Sequence, residues 1–220
     1  ITFDKKGAES GAKIYYYVET LNGASGDASY NGKNYKQYKV IDLEYDGWTS
    51  LTYKEEFHPI TGFTQGDSNP KLPKDGSVEM KQNNYLYYTR NSYELTFFNY
   101  NSEVAGEGGE VQYEAPLSAY YFEPNYPSDL EANAYEFAGW YTTSGCYAGS
   151  EVNWESIKMP ANDLVLYAKW IPTTHKVTTW LTDKMNTHVN IGNTGTNVQT
   201  VKHGEKAEAP AETMEDYAAD

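Results

Sequence analysis

The sequence is poor in cysteine, in positive charge and in long apolar runs, and each shortage excludes something. A single cysteine, Cys146, among 220 residues leaves no internal disulfide. Any small module here must hold its core without the covalent staples that small secreted domains generally use. No run approaches the roughly 20 apolar residues of a membrane-spanning helix, so no membrane insertion is expected. Lysine and arginine number 17 against 31 aspartates and glutamates, a formal net charge of −14. The imbalance is local: residues 1–92 carry −1, residues 93–171 carry −10 and residues 172–220 carry −3. Lys158 and Lys169 are the only cations of the middle stretch. Such a surface repels nucleic acid, an anionic membrane and an anionic wall polymer. Its plainest use is to keep the chain solvated and self-repelling; a basic partner is the other.

Recognisable reaction centres are missing too. The four histidines, His58, His175, His188 and His203, have no second ligand at metal-site spacing. No serine sits in a nucleophile elbow. The run Gly106-Glu107-Gly108-Gly109 lacks the lysine and the strand–helix setting of a phosphate loop. Cys146 lies in Ser144-Gly145-Cys146-Tyr147, which matches no nucleophile signature. A carboxylate pair for glycoside hydrolysis would need a deep cleft, which a small sheet module seldom supplies. No catalytic residue, cofactor or metal is assigned, and the chain reads as a non-enzyme.

What is abundant is tyrosine, 22 residues beside 7 phenylalanines and 5 tryptophans. Tyrosine suits thin β cores, because the ring fills the interior while the hydroxyl reaches water at its edge. Ile14–Glu19 reads as a first strand and Asn22–Asn34 as an exposed loop. Tyr35–Tyr45 alternates into Asp46-Gly47, a hairpin turn with Trp48–Phe57 as the returning strand. Pro59, Pro70 and Pro73 mark an irregular crossing. Asp75-Gly76 then turns the chain into Val78–Met80 and Tyr85–Tyr88. After a join of only Asn91-Ser92, too short for a flexible tether, Tyr93–Phe98 opens a second module. Val111–Tyr121 is its expected second strand, with Pro116 at an edge or bulge.

Pro127-Ser128-Asp129-Leu130-Glu131 predicts a short helix: Ser128 caps, Glu131 closes a capping box and Asp129 complements the dipole. Two strands follow, Tyr135–Tyr141 and Leu164–Trp170. By the period of two, Tyr135, Phe137 and Tyr141 share a face opposite Trp140. Leu164, Leu166, Ala168 and Trp170 share another, opposite Val165 and Tyr167. Gly139 beside Trp140 predicts a large ring lying flat over bare backbone. His175–Leu181 and Val198–Ala207 restart the same design without its later strands, and recurrence at this period is the mark of a repeat array.

Two of these stretches occur together elsewhere. Phe137-Ala138-Gly139-Trp140-Tyr141, followed by Met159-Pro160-Ala161-Asn162-Asp163-Leu164-Val165-Leu166-Tyr167-Ala168-Lys169-Trp170, resembles the end of a Listeria–Bacteroides repeat, the internalin-type B-repeat of bacterial surface proteins. The resemblance implies that Phe137, Gly139, Trp140, Tyr141, Leu166, Tyr167 and Trp170 are structural. It also implies a β-grasp module and an extracellular setting, at the surface of a Gram-positive cell or secreted from it, where disulfide-free modules are common. The strand Ile14–Glu19, with Leu72–Val78 and Leu86–Asn91, more loosely resembles mucin-binding-protein-type modules. Its middle, Asn31–Gln65, departs from that pattern, so no mucin binding is transferred.

The expected organisation is therefore an N-terminal tail or strand (1–11), a mucin-binding-protein-like β module (12–92), a B-repeat (93–171) and an incomplete B-repeat (172–220). The fold class is mainly β (α+β), with tandem small β-grasp-like modules, each a twisted sheet of 4–5 strands with at most one short helix. A start at Ile1 without a signal peptide predicts an internal piece of a longer protein.

The connection Tyr120-Tyr121-Phe122-Glu123-Pro124-Asn125-Tyr126-Pro127 is the candidate contact surface. Tyr120, Tyr121, Phe122 and Tyr126 either stack on a glycan or peptide, or plug the module's core. Ligand binding requires at least two of these rings to be exposed side by side. Three functions follow: an extended non-catalytic stalk that presents a binding head, with neighbouring modules of the same chain as its partners; a module that itself binds host glycan, mucin or protein; or an accessory region of a secreted hydrolase.

Overall fold

The computed structural model describes residues 13–42, 59–69, 83–178, 181–182, 188–189 and 198–208. The tail at 1–11, the Asp46-Gly47 turn, the Trp48–Phe57 strand, Pro70, Pro73, Asp75-Gly76 and Val78–Met80 lie outside them. Strands dominate the described residues, and helix is confined to two single-turn 3-10 segments, Leu21–Gly23 and Ser118–Tyr120. The chain divides into two compact units. One comprises Ile1–Phe97, Val104–Tyr121 and Asn153–Val165; the other comprises Phe98–Glu103, Phe122–Val152 and Leu166–Asp220.

The first sheet has five strands: β1 (Lys13–Glu19), β2 (Ala28–Tyr30), β3 (Lys33–Asp42), β4 (Phe63–Asn69) and β5 (Asn84–Arg90), in the order β2-β3-β1-β5-β4. At its centre β1 runs parallel to β5, with Tyr16 opposite Leu86 and Val18 opposite Tyr88. Alternation gives the sheet two unlike faces. Ile14, Tyr16, Leu86 and Tyr88 form a buried cluster joined by Val18, Ile41, Ile60 and Phe63. Tyr17, Tyr35 and Tyr87 form the other, flanked by Tyr15, Tyr30 and Tyr85. On that face the rings stack in series, Tyr15 on Tyr85 at 5.0 Å and Tyr30 on Tyr87 at 4.2 Å.

Within the expected loop at Asn22–Asn34, residues 22–27 carry no strand, but 28–34 form a hairpin. Asn31 and Gly32 adopt φ of 48° and 78°, the pair of left-handed residues that a two-residue turn between twisted strands requires. They join β2 to β3, with Tyr30 opposite Lys33.

The second sheet contains β6 (Ser92–Asn99), β7 (Ser102–Glu103), β8 (Gly109–Gln112), β9 (Tyr135–Tyr141) and β10 (Leu164–Pro172). Its order is β7-β6-β10-β9, with β8 also paired to β6. The expected strand Val111–Tyr121 stops at Gln112. From there Glu114–Leu117 pairs irregularly with Ile157–Met159: Glu114 N–H donates to Met159 O at 2.9 Å and Leu117 N–H to Ile157 O at 3.1 Å. Pro116, which has no N–H to offer, sits in an isolated bridge with Lys158.

The expected helix at Pro127–Glu131 is absent, and turns take its place. Ser128 Oγ lies 3.3 Å from Asp129 Oδ1 instead of capping a helical N–H. Tyr126 explains the preference: its hydroxyl donates to Glu131 O at 2.6 Å and accepts the Tyr135 N–H at 3.2 Å. Those two bonds tie the chain into a closed loop before a helical turn is complete.

Beyond the second sheet, β11 (Thr174–Thr178) and β14 (Val198–Lys202) pair antiparallel, with His175 opposite Val201. Two further short strands, β12 (Leu181–Thr182) and β13 (His188–Val189), also pair with each other.

Candidate functional site

The aromatic motif of β9 and β10 is built around a β-bulge. Lys169 pairs with Gly139 but Trp170 pairs with Phe137, so Ala138 is the extra residue. Gly139 has φ +113°, and apart from its chain neighbours nothing lies within 4 Å of where a Cβ would stand. The glycine therefore meets a backbone conformation that L-residues avoid, and no residue beyond its chain neighbours packs against that position. The bulge also changes the faces. Trp140 does not oppose Phe137, as strict alternation implies, because the two rings meet at 5.7 Å.

Trp140 is 1% exposed. Its ring packs against Phe122 at 5.1 Å, and its indole N–H donates to Phe122 O at 2.8 Å. Trp170 is the second hub. Phe137 approaches it at 5.7 Å and Tyr126 edge-on at 5.1 Å. Its N–H donates to Asn99 Oδ1 at 2.8 Å, and the Asn99 amide donates in turn to Asn125 O at 2.7 Å. Leu166 and Tyr141 are buried, and Tyr167 packs against Phe98 at 5.8 Å. Lys169 places its ammonium 4.6 Å from the Tyr141 ring and donates to Cys146 O at 3.0 Å. Cys146 is half-buried; burial pushes its thiol up, against the pull of Lys169, so the thiolate is suppressed at neutral pH.

The four candidate contact rings lie in two units. In the first, Tyr120 is half-buried, and Tyr121 is 49% exposed and meets Trp154 edge-on at 5.4 Å. Trp154 also stacks with the buried Phe97 at 6.5 Å. In the second, Phe122 is half-buried on Trp140, and Tyr126 is 39% exposed on Trp170. Three of the four rings thus rest on three different indoles.

Sequence reasoning missed Trp154, Asn99 and Asp163. Trp154, between Asn153 and Glu155 in a polar link, was a lone large ring and could have been flagged as a core plug. Asn99 carries no signal of its own. Asp163 stood in the quoted motif without a role of its own, yet its Oδ1 accepts the Glu94 N–H at 3.0 Å and ties the turn before β10 to β6. Met159 of the same turn is buried. Among the described residues no group of three or more His, Cys, Asp or Glu side chains is placed to hold a metal. No described helix is long and apolar enough to cross a membrane.

A small sheet whose motif residues contact one another describes a β repeat module. Residues 93–169 match the family model of the Listeria–Bacteroides repeat domain, and that stretch of the chain is such a repeat. No curated protein matches the chain. Repeats of this family are typical of bacterial surface and secreted proteins and are generally non-catalytic.

Proposed function

We propose that the chain is a non-catalytic repeat segment of a bacterial cell-surface or secreted protein, an extended stalk that presents a binding head. The observation that carries this reading is the use of the motif rings. Trp140, Trp154 and Trp170 are each engaged by neighbouring aromatics, and the indole N–H groups of the two motif tryptophans, Trp140 and Trp170, are spent on Phe122 O and Asn99 Oδ1. Residues used this way hold a fold and leave no convergent polar groups for a reaction. The concentrated negative charge of residues 93–171 favours solvation over collapse or self-association. A glycan and matrix-protein binding array run with the whole chain tests the reading, which expects no saturable signal. Saturable binding to any immobilised ligand would make the segment an adhesin and overturn it.

One observation favours that second reading. Tyr121 and Tyr126 expose about half and about two-fifths of their surface, 49% and 39%, and an exposed ring with a fixed base is the usual platform for a sugar or peptide. Because the two rings lie in different units, each is tested by itself: Tyr121→Ala or Tyr126→Ala would then weaken the array signal while leaving the melting profile intact.

A further inference from the structure

The join between the two sheets is Asn91, and the residue before it, Arg90, is involved in an unusual concentration of contacts. Its side chain is only 8% exposed. Nε donates to Glu19 O at 3.2 Å, at the end of β1 in the first sheet. Nη1 donates to Tyr113 O at 2.8 Å and to Glu114 Oε2 at 2.8 Å, just past β8 in the second sheet. The guanidinium also lies 4.7 Å from the centre of the Phe63 ring, at the start of β4. Its backbone N–H donates to Glu19 Oε2 at 3.1 Å, and that same oxygen takes the Lys33 ammonium at 2.9 Å.

Shorter-range contacts close around this fork. Tyr113 meets Phe63 edge-on at 5.8 Å, and its ring occupies the place where a Cβ on Gly62 would stand. Tyr113 N–H donates to Asn91 O at 2.8 Å, and Asn91 N–H donates to Gly62 O at 3.0 Å. Thr64 Oγ1 donates to Asn91 Oδ1 at 2.7 Å, and Asn22 N–H donates to Gln112 Oε1 at 2.9 Å. A planar cation with donors fixed in a fork can serve acceptors on two elements at once, which a flexible ammonium cannot. If either sheet opens, a charge with little access to water loses its partners, so opening one sheet penalises the other.

We propose that Arg90 couples the two sheets, so that the first sheet and the β6–β8 portion of the second open as one cooperative unit instead of as independent modules. The proposal deepens the stalk reading by naming what stiffens the joint, and it rests on that reading only for its purpose. Native-state hydrogen exchange on the whole chain, read by mass spectrometry, tests it without any ligand. In the wild type, the slowest amides of β1 and β5 should share one opening equilibrium with those of β6 and β8. In Arg90→Met the two sets should separate by about ten- to a hundredfold in exchange rate, the scale of one lost charge-assisted bond to a buried group.

Arg90→Lys, which keeps the charge and loses the fork, gives the same separation should the methionine variant fail to fold. Gly62→Ala breaks the joint from the opposite side, through the Tyr113 ring, and should separate the sets as well. Two results overturn the proposal: independent opening already in the wild type, or a uniform loss of protection in the variants with both sets still exchanging together. A positive binding array would sink the stalk reading and leave this exchange pattern untouched, so the two failures are distinguishable.

Discussion

Gly139→Ala isolates the physical reason for the repeat's glycine. With φ at +113° an alanine there is forced into a sparsely populated region, which costs about 1–3 kcal/mol. Alanine also narrows the unfolded ensemble, offsetting about 0.4–1 kcal/mol of that. No clash adds to the bill from outside the local chain, because nothing but the chain neighbours comes within 4 Å of the added Cβ. The net expectation is a loss of about 1–2 kcal/mol. For a module of this size that lowers the melting temperature by about 5–15 °C.

Tryptophan fluorescence during thermal and urea unfolding reads the change, since Trp140 and Trp170 both lie in the affected core. The conformational account expects the loss to persist at full size when Trp140→Phe is combined with Gly139→Ala, because backbone strain does not depend on the ring. A neutral or stabilising Gly139→Ala would refute the reasoning. So would a loss that vanishes in the double variant, which would restore the adjacent indole as the cause.

Asp163→Ala removes the acceptor for the Glu94 N–H and should cost about 1–2 kcal/mol by urea denaturation. Burial raises the phenol pKa of Tyr17, Tyr87 and Tyr88 above the ordinary 10.0. Their neutral forms therefore favour the folded state: that stability is complete below about pH 10 and is lost as pH climbs through the raised values. An ultraviolet titration should show these three phenols ionising only as the first sheet unfolds. Tyr88 has no hydrogen-bond partner for its buried hydroxyl among the described residues, so Tyr88→Phe should be neutral or stabilising and should raise the pH of alkaline unfolding.

How much of this was readable beforehand depends on whether a feature is local. Ile14–Glu19, Tyr93–Phe98, Tyr135–Tyr141 and Leu164–Trp170 are dense in tyrosine, tryptophan and branched residues, and propensity alone placed all four strands. The B-repeat motif was equally legible, because two signatures at a fixed separation are rare by chance. Asn31-Gly32 was present as a hairpin signal, but the surrounding small polar residues made the stretch look like loop. The helix at Pro127–Glu131 failed for a tertiary reason. Its caps were sound, yet the hydroxyl of Tyr126 offered Glu131 O and Tyr135 N–H better partners than a single helical turn. The bulge at Ala138 could not be counted from one strand, since it exists only in the register against β10. Arg90 carried no signal either: its partners Glu19, Tyr113 and Glu114 are brought to it only by the fold.

Pulling the chain by its two ends in a single-molecule force experiment tests the stalk reading most directly. The account predicts an abrupt release that includes residues 93–169 together with the first sheet coupled to them, and so at least about 270 Å of contour at roughly 3.5 Å per residue. Gradual lengthening at low force, with no abrupt release of that size, would contradict it.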